Sequence, residues 1–251
     1  MMLSYNTSTE AWEELNKEFL LGCKKWDPTI KSGCIYVYDL VVHINTPKLD
    51  PEFDFGSHFN YSSAKWKSLV GNYIDKDNLE NIKEQVLSEE KKGKNRVYNI
   101  ALQFNNKHKH GKNCLLSIIF SRRAGKLTPT LCINLRASEV TKRLACDLLL
   151  FQRIGEFVYG NTSFDMVIHF NQIFNDDNVL LMYHAHEDVL KFLKLHKKEI
   201  DKERYNYLRD QLKKLLETDP MDIKYKIYRR IARSIQPDFK NPKTLAKDCT
   251  L

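Results

Sequence analysis

The segment from Arg96 to Val158 constrains the fold most, because one hydrophobic period gives way to another within it. Arg96–Phe104, Asn113–Ser121 and Leu127–Leu135 are three short β-rich runs parted by NNKHKHGK and RRAGK, linkers of the polar kind that turns require. Ser138–Val158 then carries Val140, Leu144, Leu148, Phe151, Ile154 and Val158 at spacings of three and four, the pattern of a helix with an apolar face. Strands closed by a buried helix predict an α+β fold, a mixed and mostly antiparallel sheet packed against helices. Pro129 predicts that the third run is an edge or bulged strand, since proline donates no ladder hydrogen bond.

The flanks extend this pattern. Residues 9–25 place Trp12, Leu15, Phe19, Leu20 and Cys23 at helical spacing, with Thr9 as the cap. Cys34–Ile44 reads as a strand ending before Pro47, and the next thirty residues read as irregular. Asp77–Lys92 reads as an amphipathic helix stopped by Gly93. Phe164–Phe170 and Val179–His184 read as two further strands, and the remainder as charged helix. The expected organisation is a core over residues 1–184 with a basic helical extension over 185–251.

Composition excludes several classes. The chain has 251 residues, 42% of them apolar, which is enough for a sizeable core and too much for a disordered chain. Its apolar runs are short of the 18 or so residues of a membrane helix, and the acidic N-terminus has no leader pattern, so a cytoplasmic protein with no membrane partner is expected. Six cysteines form no CxxC pair, and the His108/His110 and His184/His186 pairs have no further ligands at set spacing, so no metal site is expected. The net charge of +8 is concentrated: residues 191–251 hold 17 Lys+Arg against 9 Asp+Glu. A solvated pair of helices with interleaved charge explains this, and so does contact with nucleic acid, because YKIYRRIAR mixes aromatic and basic residues.

The ordered set Arg96, Cys114, Arg136, Asp147 carries the chemistry. A cysteine opening one strand, an arginine closing the next and a carboxylate one helix away can assemble a thiolate beside an anion-binding guanidinium. Such a site would favour an electrophilic, anionic substrate; the competing reading of Cys114 is an ordinary buried strand cysteine.

On these residues the chain resembles the thymidylate synthase superfamily, and within it the phage deoxycytidylate hydroxymethylases. NRVYNIALQFN stands where that family has an arginine and a strand, KHGKNC leads to the catalytic cysteine at Cys114, GKL at Gly125–Leu127 is similar to the family's turn, and NLRASE at Asn134–Glu139 matches its Arg-Ser signature. Eleven residues beyond the signature arginine the family places the residue that reads the base, Asn for uracil and Asp for cytosine; here it is Asp147. The departures are Ala137 in place of the phosphate-binding serine and Gln172-Ile173-Phe174 in place of the sugar-binding His-x-Tyr, with Trp66 a possible remnant of the family's tryptophans and no family-type closing segment at the C-terminus.

The resemblance implies a thymidylate synthase-like fold, a homodimer built through the sheet, and transfer of a one-carbon unit from 5,10-methylenetetrahydrofolate to C5 of a pyrimidine nucleoside monophosphate. Cys114 would add to C6, Asp147 would orient the base and Glu139 would join these two as a catalytic residue, Arg136 and the other subunit's copy of Arg96 would hold the phosphate, and Asn134 and Gln172 would bind substrate. The alternative is a catalytically divergent protein of that fold that binds nucleotide or nucleic acid through its C-terminal helices.

Overall fold

The computed structural model describes residues 2–31, 33–59, 61–93, 96–104, 114–160, 162–184, 189–200, 202–217 and 243–251. The strands are β1 (Met2–Thr7), β2 (Thr29–Lys31), β3 (Cys34–Thr46), β4 (Tyr98–Gln103), β5 (Leu115–Arg122), β6 (Thr130–Leu135), β7 (Ser138–Glu139) and β8 (Asp165–Asp176). The helices are α1 (Ser8–Leu20), α2 (Phe55–Phe59), α3 (Ser63–Tyr73), α4 (Lys76–Lys91), α5 (Arg143–Tyr159), α6 (Asp177–His184), α7 (Val189–Leu195) and α8 (Lys202–Glu217). The fold is α+β, as expected: one mixed eight-stranded sheet in the order β1-β3-β8-β6-β5-β4, with β2 on β3 and β7 on β8. β1 runs parallel to β3, and β6 and β7 run parallel to β8; the other pairings are antiparallel.

Helices cover one face of this sheet. α5 is buried almost throughout, and Leu144, Leu148, Phe151 and Ile154 pack with Phe120, Ile133 and Phe170 of the strands in one apolar core. On that core face of β3 the buried residues are Ile35 and Val37, then Leu40, Val42 and Ile44; on β8 they are Met166, Ile168 and Phe170, then Ile173 and Asn175. Both strands therefore switch phase at the same level, where Asp39 adopts a positive φ of 53° and the ladder joins Leu40 to Phe170 and Tyr38 to Gln172.

Several sequence expectations are corrected. Val179–His184 lies in α6, not a strand; Asp176 accepts from the Asn178 N–H and starts the turn, which a short apolar run does not reveal. The irregular stretch contains α2 and α3, the latter capped by Ser62. The cap of α1 is Thr7, not Thr9. β6 is an interior strand, because Pro129 stands just before it and its carbonyl accepts from Asp165 N–H at 3.0 Å. α5 begins at Arg143, since Ser138 and Glu139 pair with β8.

Two later segments close on this body. Arg204 of α8 clamps Asp177 with two hydrogen bonds of 2.7 and 2.8 Å and donates to the Phe19 carbonyl at the end of α1. Residues 243–251 pack beside α2 and α5, where Arg153 donates to the carbonyls of Ala246 and Cys249 and Trp66 donates to that of Thr250. No helix of the described residues is long and apolar enough to cross a membrane. The aromatic and basic run 225–233, His108, His110 and His186 lie outside the described residues.

Candidate functional site

The ends of β5 and β6 bring the cysteine and the arginine together. Leu115 pairs with Leu135, so the residues just outside that pair, Cys114 and Arg136, are neighbours by register. The Arg136 backbone N–H donates to the Cys114 carbonyl at 2.7 Å and its guanidinium reaches the Cys114 Sγ at 3.8 Å. Cys114 is half-buried and Arg136 exposed, so the pair is open to a ligand. A guanidinium there can hold negative charge on sulfur, on a phosphate oxygen, or on both.

The carboxylate approaches from the helix. Asp147 stands one turn into α5, and its side chain is 6% exposed. Oδ2 accepts from Ser138 Oγ at 2.9 Å, and Oδ1 lies 3.6 Å from the Arg143 guanidinium. Burial pushes the Asp147 carboxyl up to about 6, against the opposing pull of Arg143 and the Ser138 hydroxyl. Burial works against charge on Arg143, but the negative groups around it, Asp147 first, raise its pKa above the usual arginine range.

Tyr73 of α3 links the two halves. Burial raises its phenol first, Cys114 and Asp147 raise it further and Arg143 lowers it, while its oxygen takes a hydrogen bond from the Cys114 backbone N–H. Tyr61, just before α3, is raised by burial and shares Arg143 and Asp147 as charged neighbours. Cys114, Arg136, Tyr73, Arg143 and Asp147 thus form one electrostatic neighbourhood at one end of the sheet. A cavity of about 80 Å³ between α3, α4 and the end of β4 adjoins Tyr73. It is too small for a nucleotide, which would have to lie across the strand ends.

Other sequence-derived residues stand elsewhere. Glu139 is a structural cap: its buried carboxylate accepts from the N–H groups of Thr141, Lys142 and Arg143 at 3.0, 2.7 and 3.2 Å, and burial raises its pKa. Arg96 precedes β4 at the end of the sheet away from Cys114 and is bonded to Glu89 at 2.7 Å. Within one chain it is therefore not part of this cluster. Asn134 and Gln172 lie on the face of the sheet opposite their buried neighbours Leu135 and Ile173; Asn134 donates to Ser117 at 2.8 Å and Gln172 pairs with Tyr38. Trp66 is buried with its indole N–H bonded.

Arg143, Tyr61 and Tyr73 were not singled out in the sequence. Arg143 stands four residues before Asp147 at a helix start, the spacing of an ion pair, and that signal was available. Compared with protein-family models and with curated proteins, the chain matches none.

Proposed function

We propose that the chain acts on C5 of a pyrimidine nucleoside monophosphate, with cytosine as the base, through addition of the Cys114 thiolate to ring carbon C6. The observation that carries the reading is the 3.8 Å approach of the Arg136 guanidinium to the Cys114 sulfur, beside a Tyr73 phenol that feels the charge of both Cys114 and Asp147. Arg136 has the charge and exposure to grip a phosphate while pairing with the sulfur. Addition at C6 places negative charge on the ring and makes C5 nucleophilic, and protein donors at that edge stabilise it. As a proposal the chain is a one-carbon transferase of the thymidylate synthase type, cytoplasmic, and a homodimer in which Arg96 serves the other subunit's site.

The resemblance offers 5,10-methylenetetrahydrofolate as the carbon source, but the residues at this end of α5 do not fit a pterin as they stand. Glu139 is bonded to three backbone N–H groups, and the Trp66 ring is buried with its N–H on Thr250. What these side chains support is activation of the C5 carbon by addition at C6.

The test is exchange of tritium from C5-labelled dCMP, CMP, dUMP and UMP. The full chain should release label from a cytosine nucleotide, and Cys114→Ala should abolish the release. No release from any of the four refutes the reading; salt-sensitive binding of DNA or RNA in that case favours a non-catalytic nucleic-acid-binding protein.

A further inference from the structure

We propose that Arg143 is a specificity-determining residue, and that its guanidinium and the Asp147 carboxylate form one recognition edge that selects cytosine without a proton from the carboxyl. The inference rests on the reading of this site as a pyrimidine nucleotide site.

Cytosine offers, in order, the donor N4 amine and the acceptors N3 and O2, so its complement is one acceptor followed by donors. A lone carboxyl supplies that complement only when protonated, accepting from N4 and donating to N3. Asp147 and Arg143 supply it in ionised form. Oδ2 is held by Ser138, which fixes the carboxylate and leaves Oδ1 facing Arg143. The 3.6 Å between Arg143 and Oδ1 is an ion-pair distance longer than a hydrogen bond, so this tie does not engage a guanidinium donor. The Arg143 side chain is 37% exposed and the Asp147 side chain 6% exposed, so the donors are the more accessible half of the pair.

Uracil meets this edge badly at two points. Its O4 would face the carboxylate, acceptor against acceptor, and its N3–H would face the guanidinium, donor against donor. A site built on buried polar groups rejects such a mismatch strongly, because groups on both sides are left unpaired.

The groups around Asp147 define the expected pH behaviour. Its own helix presents Arg143 and Cys146; β7 presents Ser138; α3 and the turn before it present Tyr73 and Tyr61. Burial raises the Cys146 thiol to about 12 and keeps the two phenols above their usual range, so those three stay neutral near pH 7.

The experiment is calorimetric titration of the full chain with dCMP and with dUMP between about pH 6.5 and 8.5, reading the ratio of affinities so that phosphate ionisation cancels. The wild type should prefer dCMP with a ratio flat across that range. In Arg143→Met, which has no donor, the ratio should drop by about tenfold or more at the alkaline end and fall with rising pH towards about tenfold per unit there, because only a protonated Asp147 can then donate to N3. Arg143→Lys should keep a flat but smaller ratio.

A wild-type ratio that itself falls about tenfold per unit overturns the inference without recourse to any variant, so misfolding of the methionine protein cannot shelter it. An unchanged ratio in folded Arg143→Met also overturns it and leaves the pyrimidine reading standing. Failure of the wild type to bind either nucleotide overturns both.

Discussion

A buried acid such as Asp147 leaves a signature in stability as well as in recognition. Its carboxyl titrates near 6 in the folded chain against a usual 3.8, so the folded state holds that proton more tightly than the unfolded state. The sign follows: this contribution is fully present below the unfolded value and is lost as pH rises from about 4 through about 6. Glu139, also raised by burial, acts in the same direction. Asp147→Asn has no charge to bury. In urea denaturation the stability of the wild type relative to this variant should decline by on the order of 2 kcal/mol between pH 4 and pH 7. Parallel profiles would refute the burial of a titrating carboxyl at this position. The approach of Cys114 to Arg136 was legible in the sequence because neighbouring ladder positions survive in spacing, whereas Asp147 was singled out by spacing alone. The tyrosines that join them were not legible, since Tyr61 and Tyr73 fall in a stretch whose helix has a weak apolar stripe and is fixed by packing against the core.

Elements were legible where one face alone meets the core. β3, α4 and the pairing of β4 with β5 follow the hydrophobic period closely, whereas α6 is apolar in a way that suits strand or helix and was misread. α5 shows the opposite case, a helix read correctly whose start was misplaced because the cap residue Glu139 acts from a strand. Its interior contains a tight approach. A Cβ built on Gly155 would stand 2.3 and 2.4 Å from ring atoms of Phe164, which precedes β8. Alanine in a helix interior ordinarily gains up to about 1 kcal/mol over glycine. Here overpacking of a buried ring should outweigh that gain, so Gly155→Ala should lose about 1–2 kcal/mol in urea denaturation, and Phe164→Leu in the same chain should recover part of the loss. A gain from Gly155→Ala alone would show that β8 and α5 are not packed this closely.

At the scale of the molecule, the helices, α8 and the C-terminal segment crowd one side and the ends of the sheet. The other face carries Tyr36 stacked on Phe174 at 5.8 Å, Tyr38 at 53% exposure, and partly exposed Val41, Ile119 and Cys132. The phase switch near Asp39 keeps these residues on one surface even though the strands change register with respect to the core. Period-two patterns gave no warning of that switch, because each half of β3 alternates correctly by itself. This face mixes those side chains with Asn134, Gln172, His43 and His169, and a second copy of the same face is the occupant our reading requires, since Arg96 can reach a Cys114 site only across a dimer. Sedimentation velocity at micromolar concentration should give twice the mass of one chain. Tyr38→Glu places an unpaired charge on the exposed face without touching the core, and should shift the protein towards monomer with its circular dichroism unchanged. If the wild type sediments as a monomer across the concentration range, Arg96 has no route to the phosphate, and Arg136 must hold the nucleotide's anionic end by itself.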